Sequence, residues 1–107
     1  KDMIVSGGVN IYPREVELAL EKHAAVLECT VFGIPDEKWG EALCAYVVTE
    51  DGARVTDHEL ISFCADHLAR FKRPKLVRFV ENIPKTPSGK VLKARLRDNF
   101  LKDEGLA

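Results

Sequence analysis

Residues 26–49 read VLECTVF GIPDEKWGE ALCAYVVT, and this stretch decides the fold. In its first part Leu27, Cys29 and Val31 alternate with Glu28 and Thr30, the period of a strand with one buried face. Its last part, Ala42 to Thr49, is apolar almost throughout and predicts a second, more deeply buried strand. Between them Gly33 to Glu41 is too polar for a strand and is broken by Gly and Pro, so it reads as a loop. A sheet therefore anchors the chain.

Toward the N-terminus, Met3-Ile4-Val5 and Val9-Asn10-Ile11-Tyr12 are short β-prone runs around Ser6-Gly7-Gly8, a small hairpin or bent connection. Pro13 supplies the preset φ of a first helical position. From there to about Glu21, Val16, Ala19 and Leu20 share one helical face, with Glu15 and Glu17 directed elsewhere. Toward the C-terminus, Glu50-Asp51-Gly52 makes a turn. Thr56 and Glu59 then form a capping box for a helix running to about Ala69, its buried stripe Leu60, Ile61, Cys64 and Leu68. Pro74 ends the basic run from Arg70 to Lys75, and Leu76 to Val80 reads as a third main strand. Pro84 to Lys90 is dense in turn formers, and a last helix from about Val91 to Lys102 carries Leu92, Leu96 and Phe100. The expected architecture is α+β: a sheet of about three strands, a minor N-terminal hairpin and three helices.

At 107 residues the chain has room for one core and one domain, too little for an enclosed substrate chamber. Its net charge of −1 argues against general nucleic-acid binding, which needs a basic face to displace counterions. No apolar run approaches a membrane span and no signal segment opens the chain, so a cytoplasmic location is expected. Cys29, Cys44 and Cys64 are odd in number and widely spaced, and they read as small buried hydrophobes. The start at Lys1-Asp2-Met3, without an initiator Met, reads as a piece excised from a longer polypeptide.

Two motifs fail on spacing. His58-Glu59-Leu60-Ile61-Ser62 begins like a zinc helix but has Ser where the second His must stand. Gly89-Lys90 shares its dipeptide with a phosphate-binding P-loop, yet Pro84 stands where that loop needs Gly, and Val91 where it needs Ser or Thr. His23, His58 and His67 have no partner identifiable from spacing. Three segments remain. Two prolines and Gly89 give Lys90 a restrained base, which suits an ammonium stabilising an anionic transition state, against a plain turn with a solvated lysine. Arg70, Lys72, Arg73, Lys75 and Arg78 around Phe71 fit a nucleotide with phosphates, against a solvated helix end. Ser6-Gly7-Gly8 allows close approach of a ligand chain, against a simple hairpin turn.

Taken in order, these segments resemble the C-terminal domain of the AMP-forming acyl-CoA synthetases, within the adenylate-forming superfamily. The resemblance rests on Lys1 to Pro13 with Glu15-Val16-Glu17, then Gly33-Ile34-Pro35-Asp36 with Trp39-Gly40-Glu41, then Phe71-Lys72-Arg73-Pro74, then Pro84, Thr86, Ser88, Gly89 and Lys90. It implies an ATP-dependent reaction in two steps. A carboxylate attacks the α-phosphorus of ATP to give an acyl-adenylate and pyrophosphate, and the thiol of coenzyme A then displaces AMP. It implies a partner, the N-terminal adenylation domain of the same polypeptide, which holds the acyl and ATP pockets and over which residues 1–107 swing between two poses. Mg2+ is expected with ATP in the parent enzyme, with no metal ligands in this domain. By the same resemblance Lys90 is the adenylation lysine and Lys1 the hinge. Gly7 and Gly8 line the pantetheine tunnel near Trp39, and Phe71, Arg73 and Lys75 meet the CoA nucleotide. The isolated domain is expected to be inactive, and the acid activated cannot be read from it. The alternatives are a stand-alone CoA- or nucleotide-binding module without catalysis and a purely structural domain. Several hundred upstream residues with a phosphate loop would favour the ligase, and a Met directly before Lys1 the module.

Overall fold

The computed structural model describes residues 2–106, so the hinge position at Lys1 lies outside the described residues. The elements are β1 (Ile4–Ser6), β2 (Val9–Ile11), α1 (Pro13–Glu21), β3 (Val26–Asp36), β4 (Gly40–Thr49), α2 (Asp57–Ala65), β5 (Leu76–Phe79) and α3 (Lys93–Asp103). A single 3-10 turn at Arg70–Lys72 precedes β5. β1 and β2 form the expected hairpin, and β3, β4 and β5 form the expected three-stranded sheet. β3 pairs antiparallel with β4, whereas β5 joins the other edge of β4 in parallel after the crossover through α2.

The sheet is buried on both faces. Cys29, Val31, Leu43, Ala45, Val47 and Val77 point to one side, where Val16 and Leu20 of α1 and Leu60 and Cys64 of α2 cover them together with Ile4 and Ile11. Phe32, Ile34, Cys44, Tyr46 and Val48 point to the other, where Leu96 and Phe100 of α3 and the loop residue Ile83 cover them. This is why Ala42 to Val48 is apolar throughout: alternate residues of the central strand serve two cores.

Four expectations are corrected. First, Gly33 to Glu41 is not a loop. β3 runs on to Asp36 and β4 starts at Gly40, leaving a turn of Glu37, Lys38 and Trp39. Pro35 is tolerated because β3 is an edge strand, and a Cβ at Gly33 would lie 2.6 Å from a carboxylate oxygen of Glu41 across the ladder. Second, Glu17, directed away from the apolar face of α1, is nevertheless buried. It is 6% exposed and accepts the Val31 N–H at 2.9 Å on the free edge of β3, with the Lys93 ammonium also at 2.9 Å. Third, α2 stops at Ala65, although Leu68 still packs on the core; the capping box holds as expected, and Asp66 puts an anion at the C-terminal end, where the helix dipole disfavours it. Fourth, α3 begins at Lys93 because Val91 is engaged in a bridge with Lys85, and the Leu92 N–H is held by the Pro84 carbonyl at 3.0 Å.

Candidate functional site

Where β3 turns into β4, the hairpin, that turn and the basic segment before β5 enclose an open groove of about 610 Å³. Ser6, Gly7 and Val9 come from the hairpin, Trp39 from the turn, Ala42 and Leu43 from β4, and Arg70, Phe71, Arg73 and Lys75 from the basic segment. Of the residues singled out above, Gly7, Trp39, Phe71, Arg73 and Lys75 thus converge on one site. Gly8 does not line it.

The two glycines differ in what they permit. Both have positive φ, +57° at Gly7 and +81° at Gly8. A Cβ on Gly7 would lie 2.8 Å from the Trp39 ring, whereas one on Gly8 would meet nothing within 4 Å. At Gly7 the missing side chain therefore admits the protein's own indole, a different use from the ligand approach expected. The Gly7 N–H donates to the Trp39 carbonyl at 2.8 Å, which locks hairpin and turn together.

The turn is organised by Asp36. Its carboxylate accepts the N–H groups of Trp39 at 2.9 Å and Lys38 at 3.1 Å, as an Asx turn does. It also accepts the Lys75 ammonium at 2.5 Å. The bond from Lys75, helped by the two N–H groups, holds its carboxyl below the usual carboxylate range. Trp39 and Phe71 remain 49% and 52% exposed, the indole resting on Gly7.

The expected cationic cluster divides. Arg70, Arg73 and Lys75 line the groove. Lys72 is turned away and paired with Glu15 of α1 at 3.0 Å. Arg78, on the opposite face of β5 from the buried Val77, bonds Glu104 at 2.7 Å and stacks over Phe100. Strand alternation separates it from the others. Arg70 and Arg73 belong to no ion pair among the described residues.

Lys90 lies elsewhere. Its loop is closed by the Lys85–Val91 bridge, by Thr86 N–H to Lys90 carbonyl at 2.7 Å and by Lys90 N–H to Thr86 Oγ1 at 3.1 Å, with Gly89 at φ +90°. Lys90 is exposed and joins no ion pair among the described residues. Lys85 at the foot of the loop bonds Glu28 at 2.7 Å, near the start of β3. From Glu28 to Asp36 the strand covers about 26 Å, so the loop's anchor and the groove stand toward opposite ends of the sheet.

The remaining chemistry is quiet. All three cysteines are buried, and burial pushes the thiols up to about 12 at Cys29 and Cys44 and about 11 at Cys64, so none is a thiolate nucleophile at neutral pH. Among the described residues no group of three or more His, Cys, Asp or Glu is arranged to hold a metal ion, and no helix is long and apolar enough to cross a membrane. Asp36 and Arg70 were given no individual role on sequence grounds. The signal for Asp36 was available in Asp36-x-x-Trp39, the spacing of an Asx turn.

The described residues thus form a small α+β domain with a surface groove carrying two rings and three cations, and a braced lysine loop away from it. The sequence model of the AMP-binding enzyme C-terminal domain matches residues 15–90, and the chain belongs to that family. A propanoyl:CoA ligase of Rhodococcus jostii, whose substrate carries a methyl-dioxo-octahydroindene ring system, is 49% identical over 92% of this chain and 19% of its own length. A fatty acid–[acyl-carrier-protein] ligase of Streptomyces coeruleorubidus is 44% identical over 96% of this chain and 20% of its own. Among solved structures, a Mycobacterium tuberculosis fatty acyl CoA synthetase superposes with a TM-score of 0.89 at 44% identity, over 95% of this chain and 20% of that one. The chain thus spans about a fifth of the length of the relatives it matches.

Proposed function

We propose that this chain is the mobile C-terminal domain of an ATP-dependent acid–CoA ligase. Its partner is an N-terminal adenylation domain of the same polypeptide, which binds the acid, ATP and its Mg2+. In one pose Lys90 enters that partner's site, where its ammonium offsets the charge that develops as the carboxylate attacks the α-phosphorus and pyrophosphate departs. In the other pose, reached by rotation at Lys1, the groove faces the acyl-adenylate. Gly7 and Trp39 then guide the pantetheine arm, with Gly8 outside the groove on the same hairpin turn, and Phe71, Arg73 and Lys75 receive the CoA nucleotide, the ring against adenine and the cations against phosphate. The observation that carries this reading is the convergence of Gly7, Trp39, Phe71, Arg73 and Lys75 on one groove while Lys90 stands on a stiff loop whose anchor lies some eight residues of strand away. Two steps need two faces.

The isolated chain is inert in this account, because one lysine and one groove cannot replace the pockets that hold the reactants together. An acyl-carrier-protein acceptor is the second reading, favoured by the name of the Streptomyces relative. It shares the phosphopantetheine arm and lacks the adenine nucleotide. The test is a titration of the 107-residue chain at low salt with CoA and with the form lacking its 3′-phosphate. CoA should perturb the amides of Phe71, Arg73 and Lys75 more strongly, and added salt should weaken the effect. Equal perturbation by both ligands contradicts the phosphate contacts, and no perturbation by either favours the carrier-protein reading.

A further inference from the structure

Asp36 stands apart from the other carboxylates because one side chain builds two walls of the groove. Its Oδ2 accepts the N–H groups of Lys38 and Trp39, and Trp39 in turn accepts the Gly7 N–H through its carbonyl, so the carboxylate fixes the indole against the hairpin. Its Oδ1 holds the ammonium of Lys75. The Asp36 side chain is only 5% exposed, whereas that of Lys75 is 65% exposed, so the anion is built into the framework and the cation faces solvent. An entering anion thus meets two guanidiniums, Arg70 and Arg73, without carboxylate partners among the described residues, and one ammonium already neutralised.

We propose that Asp36 is a specificity-setting positioning residue: a built-in counter-ion that competes with the ligand for Lys75, so that a ligand bearing several phosphates and a stacking base gains the ammonium while a small lone anion does not. Two consequences distinguish this from a purely structural role. A carboxylate needed only to hold the turn would, when altered, loosen the groove and weaken every ligand. A competing counter-ion would, when neutralised, strengthen the binding of simple anions, and only while Lys75 is present. The inference rests on the groove being the CoA nucleotide site, but its central measurement uses a probe that does not.

The variant is Asp36→Asn, whose amide oxygen still accepts the main-chain N–H groups but carries no charge. The 107-residue chain is titrated at low ionic strength with inorganic pyrophosphate and, separately, with CoA. Asp36→Asn should tighten pyrophosphate binding by about threefold to fivefold, the scale of an exposed ion pair, and should tighten CoA less, so that discrimination between the two falls. In a Lys75→Gln background the same substitution should give no gain. Emission of the single Trp39 reports whether the turn is intact. Unchanged or weaker pyrophosphate binding with unaltered Trp39 emission overturns the proposal, as does a gain that persists without Lys75. Should Asn disturb the turn, Lys75→Gln alone decides: loss of CoA binding with pyrophosphate binding held at the wild-type level supports the competition, and equal loss of both overturns it. A Lys75-dependent gain for pyrophosphate without any CoA binding would keep the role of Asp36 and remove the CoA reading.

Discussion

Gly7 and Gly8 are adjacent, both glycine and both at positive φ, yet they serve different ends, and substitution separates them. Gly8→Ala imposes only the left-handed backbone penalty of about 1–2 kcal/mol, since open space surrounds the new methyl group. Gly7→Ala carries the same penalty and also drives a methyl group to 2.8 Å from the Trp39 ring, which must swing away because the backbone cannot. Urea unfolding should show both variants destabilised. Trp39 emission should shift in Gly7→Ala alone, and a wild-type spectrum in that variant would contradict the packing described. The family resemblance singles out Gly7, Gly8, Trp39, Phe71, Arg73 and Lys75, and all of them but Gly8 line one groove. Their pairing was not legible: which cations are neutralised depends on Glu15, Asp36 and Glu104, distant in sequence and joined to them only by the fold.

Among the elements, the free edge of β3 is the exposed liability, and Glu17 of α1 manages it by accepting the Val31 N–H while pairing with Lys93 at the start of α3. Glu17→Ala leaves an N–H and an ammonium without this partner, and should cost about 2–4 kcal/mol in denaturant unfolding. Glu17→Gln retains an acceptor for Val31 and should cost less. Hydrogen exchange at Val31 should accelerate in the alanine variant, and unchanged exchange would show that the edge is protected by other means. Helical periodicity turns Glu17 away from the apolar face of α1, but it locates a residue relative to its own helix, not to a strand edge beside it. The same limit explains Gly33 to Glu41. Gly and Pro normally break a strand, but here one makes room for a cross-strand carboxylate and the other sits on an edge. By contrast Thr56 and Glu59, whose capping box is purely local chemistry, behave as read.

At the scale of the whole molecule, the groove stands toward one end of the sheet and the anchor of the Lys90 loop toward the other. Under the proposed function the two faces serve different steps, and Lys90 serves adenylation alone in the parent ligase. Removing a preorganised charged donor costs about 3 kcal/mol or more, roughly a hundredfold in rate. Lys90→Arg should restore little, since a planar fork does not replace a compact ammonium. The most direct measurement is therefore single-turnover kinetics of both half-reactions in a full-length ligase carrying Lys90→Ala within this domain. Formation of acyl-adenylate from acid and ATP should fall at least a hundredfold, about the loss of one such donor, while preformed acyl-adenylate and CoA turn over at near the wild-type rate. Equal losses in both half-reactions would contradict the division of labour between the two faces.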